Sequence, residues 1–142
     1  MLQVHITPSV LSWFPFSPNE IRRLMEAIVR NFGWKSADLE VLVTTDQEIA
    51  RLNGEFLGLP GPTNVLSFPL DQNPEEGLNG SLVLSAHALR RESDLYAQDP
   101  AQYCCRLIVH AVLHLAGLEH GPRMEAMTES GLQAALEEIG NE

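Results

Sequence analysis

Basic residues are scarce in this chain: nine Lys and Arg stand against nineteen Asp and Glu, giving a formal net charge of −10 over 142 residues. Such a balance excludes broad electrostatic attraction to nucleic acid or anionic lipid, while leaving room for a local basic patch. Arg90, Arg91, Arg106 and Arg123 are the candidates for one. Cysteine is scarcer still, with only Cys104 and Cys105. Sequence neighbours rarely meet disulfide geometry, so the expectation is two buried thiols in a reducing compartment. Long apolar runs are missing too. The longest, Leu107 to Leu118, is too short for a bilayer and carries two histidines. The opening residues, MLQVHITPSV, have neither a basic region nor a long apolar one and do not read as a signal peptide. A cytoplasmic protein without membrane contact is expected. Repeats, low-complexity tracts and linkers are also lacking. The length and the 44% hydrophobic content suit one domain over residues 1–142 with a sizeable core.

The elements follow from patterning. LQVHIT (2–7), ADLEVLVTT (37–45), NVLSFPL (64–70) and SLVLS (81–85) read as strands. Ser17-Pro18-Asn19-Glu20 is a capping-box start for a helix that Gly33 ends. Thr45 to Glu48 repeats that pattern and opens a short helix through Leu52. LGLPGP (57–62) and DQNPEEGLNG (71–80) are loops by their Gly and Pro content. Helices are expected over 86–97, from Asp99-Pro100 to Ala116, and over about 123–139. The sum is an α/β domain: a four-stranded mixed sheet with about five helices.

Three of the five histidines fall within HAVLHLAGLEH (110–120). His110 and His114 stand four apart, so a helix puts both rings on one face. Gly117 tolerates the positive φ of a sharp turn, which lets the chain return His120 to the same point. Three neutral imidazoles fill three corners of a zinc tetrahedron and leave the fourth to water, as catalytic sites do. Nickel, cobalt and copper suit the same ligands. Without a metal, three buried imidazoles would cost roughly 1–3 kcal/mol each. The spacing also matches the metzincin proteases, but the glutamate those enzymes place after the first histidine is Ala111 here.

HAVLHLAGLEH resembles the H-G-x-L-H-L-x-G-Y-D-H signature of the bacterial YbeY family. LNGEFLGLPGPTNVLSFP (52–69) resembles that family's L-N-x-x-[FY]-R-x-x-x-x-P-T-D-V-L-S-F-P, and GSLVLS (80–85) its G-D-I-x-I-[SC]. The blocks come in the family's order and spacing. The resemblance implies a single α/β domain with zinc on His110, His114 and His120. It further implies hydrolysis of single-stranded RNA, maturation of the 3′ end of 16S rRNA, and ribosome quality control, with RNA and the small ribosomal subunit as partners. Departures matter. The family's arginine is Leu57, which cannot contact phosphate. Its aspartates are Asn64 and Ser81, and its Y-D is Leu118-Glu119.

The candidate catalytic residues are Glu119, Ser67 and Asn64. Glu119 is the acid nearest the last histidine, suited to act as a base or to orient a ligand. Ser67 and Asn64 offer hydrogen bonds to substrate near a strand end. His5, His87 and the SWFPF stretch (12–16) read better as structural or surface residues. Two other functional readings stay open. One is a ribosome-associated binding module with a mainly structural metal, favoured by Leu57 and the acidic charge. The other is a zinc peptidase-like hydrolase.

Overall fold

Alternating exposed and buried positions in Leu2–Ile6 make β1, and a computed structural model describes the chain over residues 1–70 and 77–140. Pro8–Leu11 follows as α1, a single turn opened by its proline, which patterning does not anticipate. Helix α2 (Pro18–Phe32) starts on the expected capping box. The Glu20 amide donates to Ser17 Oγ at 3.1 Å, the Ser17 amide donates to Glu20 Oε1 at 2.9 Å, and Gly33 closes the helix with φ +75°.

Strand β2 (Ala37–Thr44) leads into α3 (Asp46–Leu57). Thr45 Oγ1 caps α3 at the Glu48 amide. The Glu48 carboxylate completes no capping box; it binds Arg51 at 2.6 and 3.1 Å instead. Helix α3 also runs past the expected end at Leu52. Arg51 pairs with Glu55 a turn on, and buried Asn53 donates from Nδ2 to the Gly61 carbonyl at 3.1 Å. Asn53-Gly54 is therefore helix interior, and the stop is Gly58 at φ +66°.

Strands β3 (Val65–Pro69) and β4 (Leu78–Ser85) complete the sheet. Its order is β1-β2-β4-β3, with β1, β2 and β4 parallel and β3 antiparallel at one edge. The mixed sheet is as expected, but β4 begins at Leu78, three residues before the sequence signal. Parallel pairing with β2 from Ala37↔Leu78 draws those residues into the ladder. The rest of the anticipated loop, 71–76, lies outside the described residues. Ser85 caps α4 (Ala86–Leu95), and Asp99 caps α5 (Pro100–Leu115). Helix α6 (Pro122–Gly140) ends the description.

The two faces of the sheet are dressed unequally. Leu39, Val41, Val43, Leu82 and Leu84 pack under α2, α5 and α6 in the main core. On the other face, among the described residues, Ile49 and Leu52 of α3 pack with Leu42, Leu66, Val83 and Phe68, and Phe56 meets Phe68 edge-on with ring centroids 5.8 Å apart. Helix α5 is the centre: nine of its residues are buried, against five in α2 and five in α6. Each fully buried aliphatic side chain contributes roughly 1.5–3 kcal/mol. Cys104 and Cys105 are among the nine and carry free thiols. Burial raises both thiol pKa values, that of Cys105 to about 12, so these sulfurs are packing groups.

Helix α6 approaches α5 through Gly131. A Cβ there would stand 2.7 Å from Val109 Cγ1 and 3.0 Å from Phe32 Cζ. Gly131→Ala is expected to destabilise the fold by about 1–3 kcal/mol through overpacking, visible as a lower thermal midpoint by circular dichroism.

Candidate metal centre

The end of α5 builds the site. Ala116 leaves the helix with ψ near 0°, and Gly117 takes φ +92°. The Leu118 amide donates to the Leu113 carbonyl at 3.0 Å, and the Gly117 amide to the His114 carbonyl at 3.0 Å. These are the two bonds of a Schellman turn, with Leu118 packing back on the core. The turn does two things for the histidines. It swings the Leu118 carbonyl over the His114 ring, where it accepts from Nδ1 at 3.2 Å. It also sends the chain back so that His120, just before α6, joins the pair.

The three rings converge. Centroid separations are 4.5 Å for His110–His114, 5.0 Å for His110–His120 and 4.8 Å for His114–His120. One nitrogen from each lies within 4.8 Å of the others. Because a carbonyl only accepts, the Leu118 contact calls for a proton on His114 Nδ1 and leaves Nε2 as the nitrogen turned to the cluster. That Nε2 sits 3.0 Å from His110 Nε2. Two zinc–nitrogen bonds at a tetrahedral angle hold their nitrogens ~3.3 Å apart, so the spacing fits a divalent ion with little movement. His110 has its pKa lowered, first by burial and then by the neighbouring His114 and His120. It therefore stays neutral, the form a metal needs. His110 and His114 are half-buried and His120 is exposed, which leaves an open side for a reactant.

A cleft of about 490 Å³ opens beside His110 and His120, with Tyr103, Arg106 and Glu125 on its walls. Of the four candidate arginines, only Arg106 lines it. Arg90 lies 5.1 Å over the Trp13 ring, Arg91 binds Asp46 at 2.6 Å, and Arg123 sits exposed on the first turn of α6. Tyr103 stands two turns before His110 on the same helical face, a spacing legible in the sequence. Its hydroxyl donates to Glu92 Oε1 at 2.7 Å, and its pKa is pushed up by burial and by that carboxylate. Glu125 enters only through the docking of α6, for which no local pattern exists.

The remaining candidates fall in distinct places. Glu119 is exposed, next to His120. Ser67 lies beneath α5 and donates from Oγ to the Ala111 carbonyl at 3.1 Å, one residue from the first histidine. Asn64 donates from Nδ2 to the Glu92 carboxylate that holds Tyr103, at 3.1 Å. His87 accepts from the Asp46 amide and stacks on Trp13, apart from the cluster. His5 lies on the open sheet face, while Phe14 and Phe16 are core. Leu57 ends α3, half-exposed.

The fold and the site together define an α/β domain with a candidate three-histidine metal site at the end of its central helix. A family model described as Endoribonuclease YbeY matches residues 15–140. Relatives of that name include one from Oleidesulfovibrio alaskensis, 38% identical over 95% of this chain and 92% of its own. Another, from Nitratidesulfovibrio vulgaris, is 36% identical over 91% of each chain. A solution structure from Thermotoga maritima shares the fold, with a TM-score of 0.68 over 99% of this chain and 93% of that one at 21% identity. The chain belongs to the YbeY endoribonuclease family.

Gly117→Ala forces a Cβ into the left-handed turn at a cost of about 1–2 kcal/mol. Zinc titration by calorimetry is expected to show weaker binding for this variant, with Gly117→Asn intermediate.

Proposed function

We propose that this protein is a metal-dependent endoribonuclease that hydrolyses single-stranded RNA in the cytoplasm. It acts in 3′-end maturation of 16S rRNA and in ribosome quality control, working on the small subunit. The observation that carries the reading is the convergence of His110, His114 and His120 nitrogens within 4.8 Å, in a chain whose family is described as an endoribonuclease. No helix among the described residues is long and apolar enough to cross a membrane.

The three imidazoles would hold zinc or another divalent ion. Such an ion supplies Lewis acidity, making hydroxide available near neutral pH and offsetting charge on the phosphodiester. The chain's own groups do the rest. Leu118 fixes the His114 proton on Nδ1, so that Nε2 always faces inward. Ser67 ties β3 to α5 beside the first ligand and keeps the helix in register. Asn64, through Glu92, steadies Tyr103 on the wall of the cleft. Glu119, exposed next to His120, takes a proton from the attacking water as its oxygen bonds to phosphorus, and returns that proton to the leaving ribose oxygen as the old P–O bond breaks.

A second reading has a specific observation behind it. Phe56, Leu57 and Leu59 are exposed together, where a phosphate-binding arginine is the family pattern. That apolar edge favours a ribosome-associated binding module whose metal is mainly structural.

Purified protein of known metal content, incubated with single-stranded RNA and with casein, separates the readings. Endoribonuclease action predicts RNA cleavage that chelation removes and His114→Ala lowers by more than about a hundredfold, with casein intact. Leu57→Arg is expected to raise cleavage by about tenfold, the worth of one charge-assisted phosphate contact. Full metal occupancy with no turnover, together with co-sedimentation with small subunits, would support the binding module.

A further inference from the structure

With nine cations in the whole chain, the place of each is informative. Arg30 pairs with Glu138, Arg51 with Glu48 and Glu55, and Arg91 with Asp46. None of these lines the cleft at the histidine centre. Among the described residues, Arg106 is the one Lys or Arg that does. It stands one turn before His110 on α5, so the two side chains start from the same helical face.

Arg106 Nη1 lies 3.0 Å from Glu129 Oε1 of α6, and the two side chains are 43% and 62% exposed. A pair this open is weakly held and is screened by salt. A guanidinium also offers two parallel N–H donors to phosphate, a better match than one carboxylate oxygen at a mobile surface. Glu129 is therefore a contact that an incoming phosphate can replace.

We propose that Arg106 binds a phosphate of the RNA chain beside the histidine centre, and that Glu129 occupies its guanidinium when RNA is absent. The proposal rests on the reading that RNA is the substrate. It supplies the cation that Leu57 does not, and from a different element. Leu57 closes α3 on the sparsely covered face of the sheet, whereas Arg106 lines the cleft from α5. Glu129 then sets the affinity, since RNA must displace it.

The test uses the zinc-loaded full chain and a fluorescein-labelled single-stranded oligoribonucleotide. Binding is read on ice by anisotropy across a salt series, and cleavage is read separately. Arg106→Met is expected to weaken binding about tenfold and to make the slope of log K against log salt shallower by about 0.7. It should raise KM more than it lowers kcat. Arg106→Lys should retain part of the binding, and Glu129→Gln should tighten it severalfold. Zinc stoichiometry and melting temperature should match wild type in all three.

If wild type cleaves RNA while Arg106→Met and Arg106→Lys bind it as wild type does, the proposal is overturned and the endoribonuclease reading survives. Equal weakening in Arg106→Met and Glu129→Gln would also overturn it, because the bridge would then merely hold α5 to α6. Binding that depends on Arg106 without any cleavage supports the proposal and removes the hydrolytic reading. If wild type neither binds nor cleaves RNA, both fall.

Discussion

A helix ends between the second and third histidines, and that ending makes the site. Two imidazoles on one α5 face would form only an open pair. The Schellman turn at Gly117 adds the third by reversing the chain. It also provides the Leu118 carbonyl that fixes the His114 tautomer. One local backbone event thus brings the third ring to the cluster and orients the second. Its rigidity comes from below, where α5 is sealed into the core along most of its length.

The surroundings follow from how the other elements meet α5. Edge strand β3 runs alongside it and is fastened by Ser67 at Ala111. Helix α6 closes against it through Gly131, where only a hydrogen fits. The cleft with Tyr103, Arg106 and Glu125 opens between the histidine face of α5 and the first turns of α6. The chain as a whole is acidic, with a formal net charge of −10. With so few cations, a phosphate-binding group must be placed in the cleft individually rather than supplied by a basic surface.

Much of this was legible in the sequence, and what was not has physical reasons. The strands, the Ser17 cap, the Gly33 stop and the histidine spacing are local signals, and each reappears in the fold. The run of α3 beyond Leu52 goes with Asn53 reaching the Gly61 carbonyl, a contact made outside the helix that its own pattern does not announce. The early start of β4 depended on its parallel partner. The i, i+4 spacing already put Arg106 on the His110 face of α5, whereas the placing of Arg90, Arg91 and Arg123 away from the cleft depended on the docking of α4 and α6. Tyr103 was visible in principle, since it precedes His110 by two helical turns.

The central claim is that one divalent ion sits on His110 Nε2, His114 Nε2 and a ring nitrogen of His120. Anomalous diffraction at the zinc edge from crystals of zinc-loaded protein addresses it directly. The account predicts a single strong peak bonded to those three nitrogens at ~2.0–2.1 Å. A peak elsewhere, or none in zinc-saturated crystals, would contradict it.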